Sequence, residues 1–168
     1  MPLRIVSSYD HRGVVRLNSL CDAPAMTQFA LFMAHAGSFL GCMLAWACLI
    51  AIEPSLALPL VLSGVLGLLV FKLIKHTLRR PRPFARHQKI VLRGVPPDVF
   101  SFPSGHALHA ASLATIVCLT WPWAWPLGIV WYLAMAASRI MLGLHYPTDV
   151  LLGGVLGALL GYFCWLIV

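Results

Sequence analysis

Acidic residues are scarce. Five of 168 residues are Asp or Glu, against twelve Lys and Arg, and charged residues of both signs make up only 10% of the chain. A water-soluble domain carries roughly 25%, so this chain lacks the charge to cover itself with a hydrated surface. Other signals are missing too. There is no CxxC pair and no Cys/His ligand spacing, which excludes the common structural metal and redox motifs. There is no tandem repeat or low-complexity tract. A cleavable signal peptide is not expected, because Asp10, Arg12 and Arg16 interrupt the N-terminal stretch before an apolar core forms. The net charge of +7 does not point to nucleic acid, since no basic, aromatic-interleaved soluble face is left to form a binding surface.

What the chain has is apolar length. Hydrophobic residues make up 60% of it, and mean hydropathy is +0.86. They fall into five runs: about 29–52, 55–74, 104–125, 126–144 and 147–168. Each is close to the ~20 residues needed to cross a hydrocarbon core. The expectation is a single all-α domain, a polytopic membrane helix bundle of about five transmembrane helices over residues 1–168. Residues 1–27 mix Val and Leu with Arg and are too polar to span, so they read as an interfacial helix or a partly ordered tail. Residues 75–103, rich in Arg, Lys and Pro, form the long connection and the expected active-site loop. Cys21, Cys42, Cys48, Cys118 and Cys164 read as free thiols in mostly apolar surroundings. The Gly153/Gly157 and Gly157/Gly161 pairs allow close helix packing, within this chain or across a dimer.

Three polar stretches sit at the ends of the runs: Lys75–Pro83, Pro103–His106 and Ser138–Asp149. Alternate crossings put the end of run two, the start of run three, the end of run four and the start of run five on one face. All three stretches therefore meet there. Arginine forks onto phosphate oxygens and lysine adds a compact charge, so Lys75 and Arg82 suit an anion, although a juxtamembrane headgroup cluster would look similar. Ser104 suits an N-cap, Gly105 lets an anion approach the backbone, and free amides at a helix N-terminus bind phosphate. His106 stands in the first turn, where an imidazole can give a proton to a leaving oxygen. His109 reads as structural. If Pro147 opens a helix, Asp149 lies one turn from His145 and can fix its tautomer, leaving the other ring nitrogen free to attack phosphorus. A merely structural His/Asp pair remains the plainer alternative.

Taken together, Lys75-x6-Arg82-Pro83, Pro103-Ser104-Gly105-His106 and Ser138-Arg139-x5-His145-x3-Asp149 resemble the signature of the type 2 phosphatidic acid phosphatase family. The resemblance implies a metal-independent lipid phosphatase, with no cofactor, working through a phosphohistidine. It implies His145 as nucleophile, Asp149 as its orienting partner and His106 as acid and then base. Lys75, Arg82, Ser104, Gly105 and Arg139 would hold the phosphate. Arg79 and Arg80 lie outside the signature and are considered for headgroup contact. Many family members have six spans, and here the first is absent or reduced to the N-terminal segment. That short layout resembles small bacterial undecaprenyl-diphosphate phosphatases. The expected substrate is therefore a lipid phosphate, undecaprenyl diphosphate first. Phosphatidic acid, phosphatidylglycerol phosphate and a polyprenyl phospho-sugar phosphate stand behind it, with phosphoryl transfer to a second lipid as a variant. A basic-faced lipid-binding scaffold is the non-enzymatic alternative. The expected place is a bacterial inner membrane. The resemblance puts the site outside the cytoplasm, whereas all twelve Lys and Arg on the site face favour the cytoplasm by the positive-inside rule. Oligomeric state is left open.

Overall fold

The computed structural model describes residues 3–167. Its helices are α1 (Leu3–Ser19), α2 (Pro24–Ala36), α3 (Phe39–Ile52), α4 (Ala57–Leu78), α5 (Pro83–Arg86), α6 (Gly105–Thr120), α7 (Trp125–Met141) and α8 (Pro147–Leu166), joined in part by 3₁₀ turns. The one β feature among the described residues is an isolated antiparallel bridge between Pro81 and Phe100. The segments Pro54–Leu78 and Pro147–Leu166 are each long and apolar enough to cross a membrane.

Local chemistry sets the boundaries. Pro147 opens α8, and Ser104 caps α6 by accepting from the Ala107 amide at 3.4 Å. Three expectations need correction. The run over 29–52 is not one helix: α2 and α3 meet at a 61° bend and could together make a third span. Gly37 ends α2, and the Ser38 hydroxyl caps α3 by accepting from the Gly41 amide. Next, α4 runs past residue 74, so Lys75 is held on a helix rather than in the following loop. Finally, α6 and α7 have 16 and 17 residues, about 24–26 Å of rise at 1.5 Å each, which is short for a full crossing.

The N-terminal segment forms a helix that docks on α7 and α8. Val14 is fully buried in a cluster with Ile90, Ala107, Ile140, Tyr146 and Val150. The Asn18 amide donates to the Val91 and Met141 carbonyls and accepts from the Val91 amide, so a polar residue on the inner face of α1 leaves no stranded group behind. Met1, Pro2 and Val168 lie outside the described residues.

The tightest helix pair is α6 against α8. Gly153, Gly157 and Gly161 turn toward the backbone of α6 at Ser104, Leu108 and Ser112, so the small-residue stripe packs inside the chain. This contact brings the PSGH segment and the start of α8 together, with the Ser104 amide donating to the Asp149 carbonyl at 3.0 Å. At the far end of the bundle, Leu56, Leu60 and Ile116 pack with Trp121 and Trp165.

A β-carbon on Gly157 would stand 2.9 Å from the Leu108 Cα and 2.8 Å from its carbonyl carbon, and backbone cannot swing aside. Gly157→Val is therefore expected to destabilise the detergent-solubilised protein by about 1–3 kcal/mol, the usual scale for overpacking. A melting curve beside wild type checks this. An unchanged midpoint would mean the two helices can separate freely.

Candidate active site

All three polar stretches meet at one end of the bundle, as the alternation of crossings requires. Lys75 sits in the last turn of α4. Arg79 ends that helix in a left-handed conformation (φ 46°), and the chain then turns into Pro81–Pro83. The 80–82 strand-like segment lies beside 98–101 through the Pro81–Phe100 bridge and the Ser101 amide, which donates to the Arg80 carbonyl at 2.8 Å. After α7, Gly143 adopts a positive φ of 75°. Its turn brings the chain back so that His145 points inward ahead of α8.

Arg82 joins the pieces. It is 1% exposed. Its Nε donates to the Asp98 carbonyl at 2.8 Å, Nη2 to Asp98 Oδ1 at 2.8 Å, and Nη1 to the Leu144 carbonyl at 2.9 Å. Nη1 also lies 3.3 Å from His145 Nε2. A guanidinium can only donate, so His145 Nε2 carries the lone pair. Burial first, then the charges of Arg139, Arg82 and Lys75, push the His145 pKa well below the ordinary histidine value. The ring is therefore neutral, with its proton on Nδ1. That atom has no hydrogen-bond partner and faces Asp149 Oδ2 at 3.7 Å, a gap that a small ring movement closes.

The Asp149 carboxylate is fully buried and fixed from two sides. Oδ2 accepts from the Tyr146 amide at 2.8 Å, the backward reach of an acidic residue at the third helical position. Oδ1 accepts from Arg80 Nη1 at 2.6 Å. Of the two arginines considered for headgroup contact, Arg79 is exposed and donates to the His76 carbonyl, while Arg80 is tied to Asp149 and Asp10.

Arg139 is 2% exposed, yet its Nε and Nη2 are buried without a hydrogen-bond partner. Its charge bears on the imidazoles of both His145 and His106. Buried N–H donors are nearly always paired, which singles these two out as candidate anion donors. A groove of about 510 Å³ begins at Lys75, Asp98, Gly105, His106 and His145. It continues along Phe71, Leu68, Val65 and Val61 to Met43 and Trp46. Ser104 Oγ is occupied in capping, which leaves the amides at the start of α6, behind Gly105 and His106, as the unpaired donors of the helix N-terminus. His109 lines the same groove farther in, edge-on to Phe71.

Sequence reasoning missed the acids that hold these cations. Asp98 bridges Lys75 Nζ at 2.7 Å and Arg82 Nη2 at 2.8 Å. Asp10, 1% exposed, accepts from Arg80 and from the amide and hydroxyl of Thr148. A signal was available: in a chain with five acids, each one near an arginine cluster has few reasons to exist other than charge compensation.

Comparison with known proteins identifies the family and the fold. Residues 56–168 match the family model described as PAP2 superfamily. An undecaprenyl-diphosphatase of Sulfolobus acidocaldarius is 33% identical over 108 residues, 64% of this chain and 52% of the relative, so the chain spans about half of that protein's length. A decaprenylphosphoryl-5-phosphoribose phosphatase of Mycobacterium tuberculosis is 33% identical over 152 residues, 86% of this chain and 81% of the relative. Among solved structures, a transmembrane PAP2 type phosphatidylglycerolphosphate phosphatase of Bacillus subtilis superposes with a TM-score of 0.78 at 24% identity, over 95% of this chain and 84% of that one. The last likeness speaks to the fold alone.

Asp98 occupies the two cations that an incoming anion would also use. Burial by itself would raise its carboxyl pKa, but the bond and charge of Lys75, followed by those of Arg82, outweigh burial and hold it below the usual carboxylate range. Such a pairing is at full strength above that range and is lost as pH falls through the depressed value. At neutral pH Asp98 therefore competes with a bound anion. Asp98→Asn is expected to bind inorganic phosphate about tenfold more tightly at neutral pH, on the scale of one charge-assisted bond, as read by calorimetry. Equal binding in the two proteins would show that the carboxylate does not compete.

Proposed function

The chain belongs to the PAP2 superfamily, and on that premise we propose that it is a membrane lipid phosphatase that removes a phosphate from a lipid monoester or diphosphate through a phosphohistidine. The observation that carries this reading is the buried Arg139 with two unpaired donors, its charge bearing on a neutral imidazole whose Nε2 lone pair faces Arg82 Nη1 at 3.3 Å. A phosphate group completes that geometry, and a structural ion cluster would not leave it open.

In this reading Arg139, Lys75, Arg82 and the amides at Gly105 and His106 hold the non-bridging oxygens, and Arg82 Nη1 turns from Nε2 to the phosphate, which frees the Nε2 lone pair. Nε2 attacks phosphorus, the N–P bond forms and the bond from phosphorus to the leaving oxygen breaks. His106, which the negative charge of the bound phosphate would bring to its protonated form against the nearby cations, gives its proton to that oxygen. Water then attacks phosphorus and passes a proton to His106, while the N–P bond breaks and its electron pair returns to Nε2. Charge on the transferring group is met by fixed cations. Asp149 receives the Nδ1 proton's hydrogen bond as the ring becomes cationic.

The groove behind His106 is apolar from Phe71 to Trp46, which suits a lipid tail. Undecaprenyl diphosphate is the first substrate proposed. A polyprenyl phospho-sugar phosphate is the second, favoured by the long match to the mycobacterial phosphatase. Phosphatidic acid and phosphatidylglycerol phosphate follow. Phosphate release from purified protein, in EDTA, over a panel of these lipids is the direct test. The arginines and lysine supply the positive charge, so turnover is expected to persist in EDTA. His145→Ala should lower kcat by at least about 10³-fold, the scale of losing a nucleophile, while inorganic phosphate still binds. A near-normal rate in that variant would overturn the nucleophile assignment.

The site is proposed to face away from the cytoplasm of a bacterial inner membrane, the family's usual side, against the charge distribution. Gln88 is exposed in the site-end loop. Gln88→Cys should react with an impermeant maleimide added to intact cells, above the background of wild type, in which Cys21 is buried and Cys48 is exposed on α3. Labelling only after the membrane is opened would put the site in the cytoplasm, as the positive-inside rule requires, and count against release of an outer-leaflet diphosphate.

A further inference from the structure

Asp149 is the only carboxylate within reach of His145 Nδ1 among the described residues, but it does not stand alone. The Arg80 guanidinium forks between two carboxylates on different helices. Nη1 donates to Asp149 Oδ1 at 2.6 Å and Nη2 to Asp10 Oδ2 at 2.5 Å. Nη1 also reaches Thr148 Oγ1 at 2.8 Å, and the plane of Arg80 lies over the Tyr146 ring at 4.0 Å. Asp10 in turn accepts from the Thr148 amide at 3.0 Å and hydroxyl at 2.7 Å. A side chain from α1 thus takes an orphan amide at the start of α8, where a negative charge is favoured. This chain of contacts ends on the carboxylate that faces the nucleophile.

We propose that Arg80 and Asp10 are positioning residues for phosphoryl transfer, holding Asp149 oriented so that it can accept the hydrogen bond of the His145 Nδ1–H. The inference rests on the phosphohistidine reading above. Neither residue lines the groove or touches the cations assigned to phosphate. Their loss should therefore change the chemical step and not substrate capture. A lysine at position 80 keeps the charge for Asp149 but cannot fork to Asp10 as well. Asp10 acts at one further remove, so its removal should matter less than that of Arg80. The N-terminal helix thereby belongs to the catalytic apparatus, although none of the signature residues lies on it.

The test uses the full-length protein in detergent micelles with dioctanoyl phosphatidic acid as probe, measuring kcat, KM and melting temperature together. Arg80→Gln should lower kcat about 10- to 100-fold, the scale for losing a partner that orients a reacting group, with KM held within about threefold. Arg80→Lys should recover a substantial part of the loss, and Asp10→Asn should show a smaller drop in kcat alone. Asn18→Ala is the structural control. It removes the other polar tie between α1 and the body of the protein and should leave kcat unchanged even where it lowers the melting temperature. Wild-type kcat in Arg80→Gln overturns the proposal, as does a deficit confined to KM, or a loss in Asn18→Ala equal to that in Asp10→Asn. If Arg80→Gln does not fold, Arg80→Lys and Asp10→Asn carry the same test: lowered kcat with unchanged KM supports the proposal, and unchanged kcat in both overturns it. A wild-type protein that released no phosphate from any lipid would instead overturn the phosphatase reading.

Discussion

A guanidinium out of contact with water costs several kcal/mol unless it is paired and hydrogen-bonded, and Arg82 is almost wholly buried. Its partners come from two separate parts of the chain: Asp98 in the long loop, and the adjacent Leu144 carbonyl and His145 ring in the turn between α7 and α8. Arg82 is satisfied only when both parts meet its own segment, because losing either leaves a buried charge short of partners. The loop over 87–103, with almost no regular structure of its own, is held in part by this demand, beside its ties to Asn18, Leu142 and Arg80. The same contact sets the His145 tautomer. One cation therefore ties together the loop and the reactive ring.

Compensation at this end of the bundle is incomplete in a directed way. Asp98 meets Lys75 and Arg82, while Asp149 and Asp10 meet Arg80. Among the described residues Arg139 pairs with no carboxylate, and its Nε and Nη2 are buried without a partner. In the proposed reading such fixed donors would need no rearrangement to meet developing charge. The Asp98 bridge keeps two further cations from repelling one another while the site is empty.

Much of this was legible in the sequence. Apolar length marked the helices, and Pro147 and Ser104 marked where α8 and α6 begin. Alternation of crossings put Lys75, Arg82, Ser104, Gly105, His106, Arg139, His145 and Asp149 at one end. The misses share a cause. The break at Gly37–Ser38 rests on a cap and a bend that are weak signals inside an apolar run. Asp98 and Asp10 act through side chains whose partners are 16 to 138 residues away, and neither period nor spacing carries such information. The polarity of residues 1–27 suggests an interfacial helix or a partly ordered tail because its buried polar groups, Asp10 and Asn18, are satisfied only by tertiary partners.

The groove has two unlike walls. On one side α4 and α6 carry Lys75, Gly105 and His106 and are anchored through α8, backbone against backbone. On the other side α3 follows the Gly37–Ser38 bend and meets α4 chiefly where Trp46 lies against Gly64. The proposed reacting groups thus stand on α4, α6 and the turn before α8, whereas α3 contributes only to the apolar wall that it shares with Val61, Val65, Leu68 and Phe71 of α4. Residues of α3 can be exchanged to reshape the space for a tail of another length or branching without displacing a reacting atom. That separation of duties offers a physical route by which one catalytic end could serve lipids with very different hydrocarbon parts.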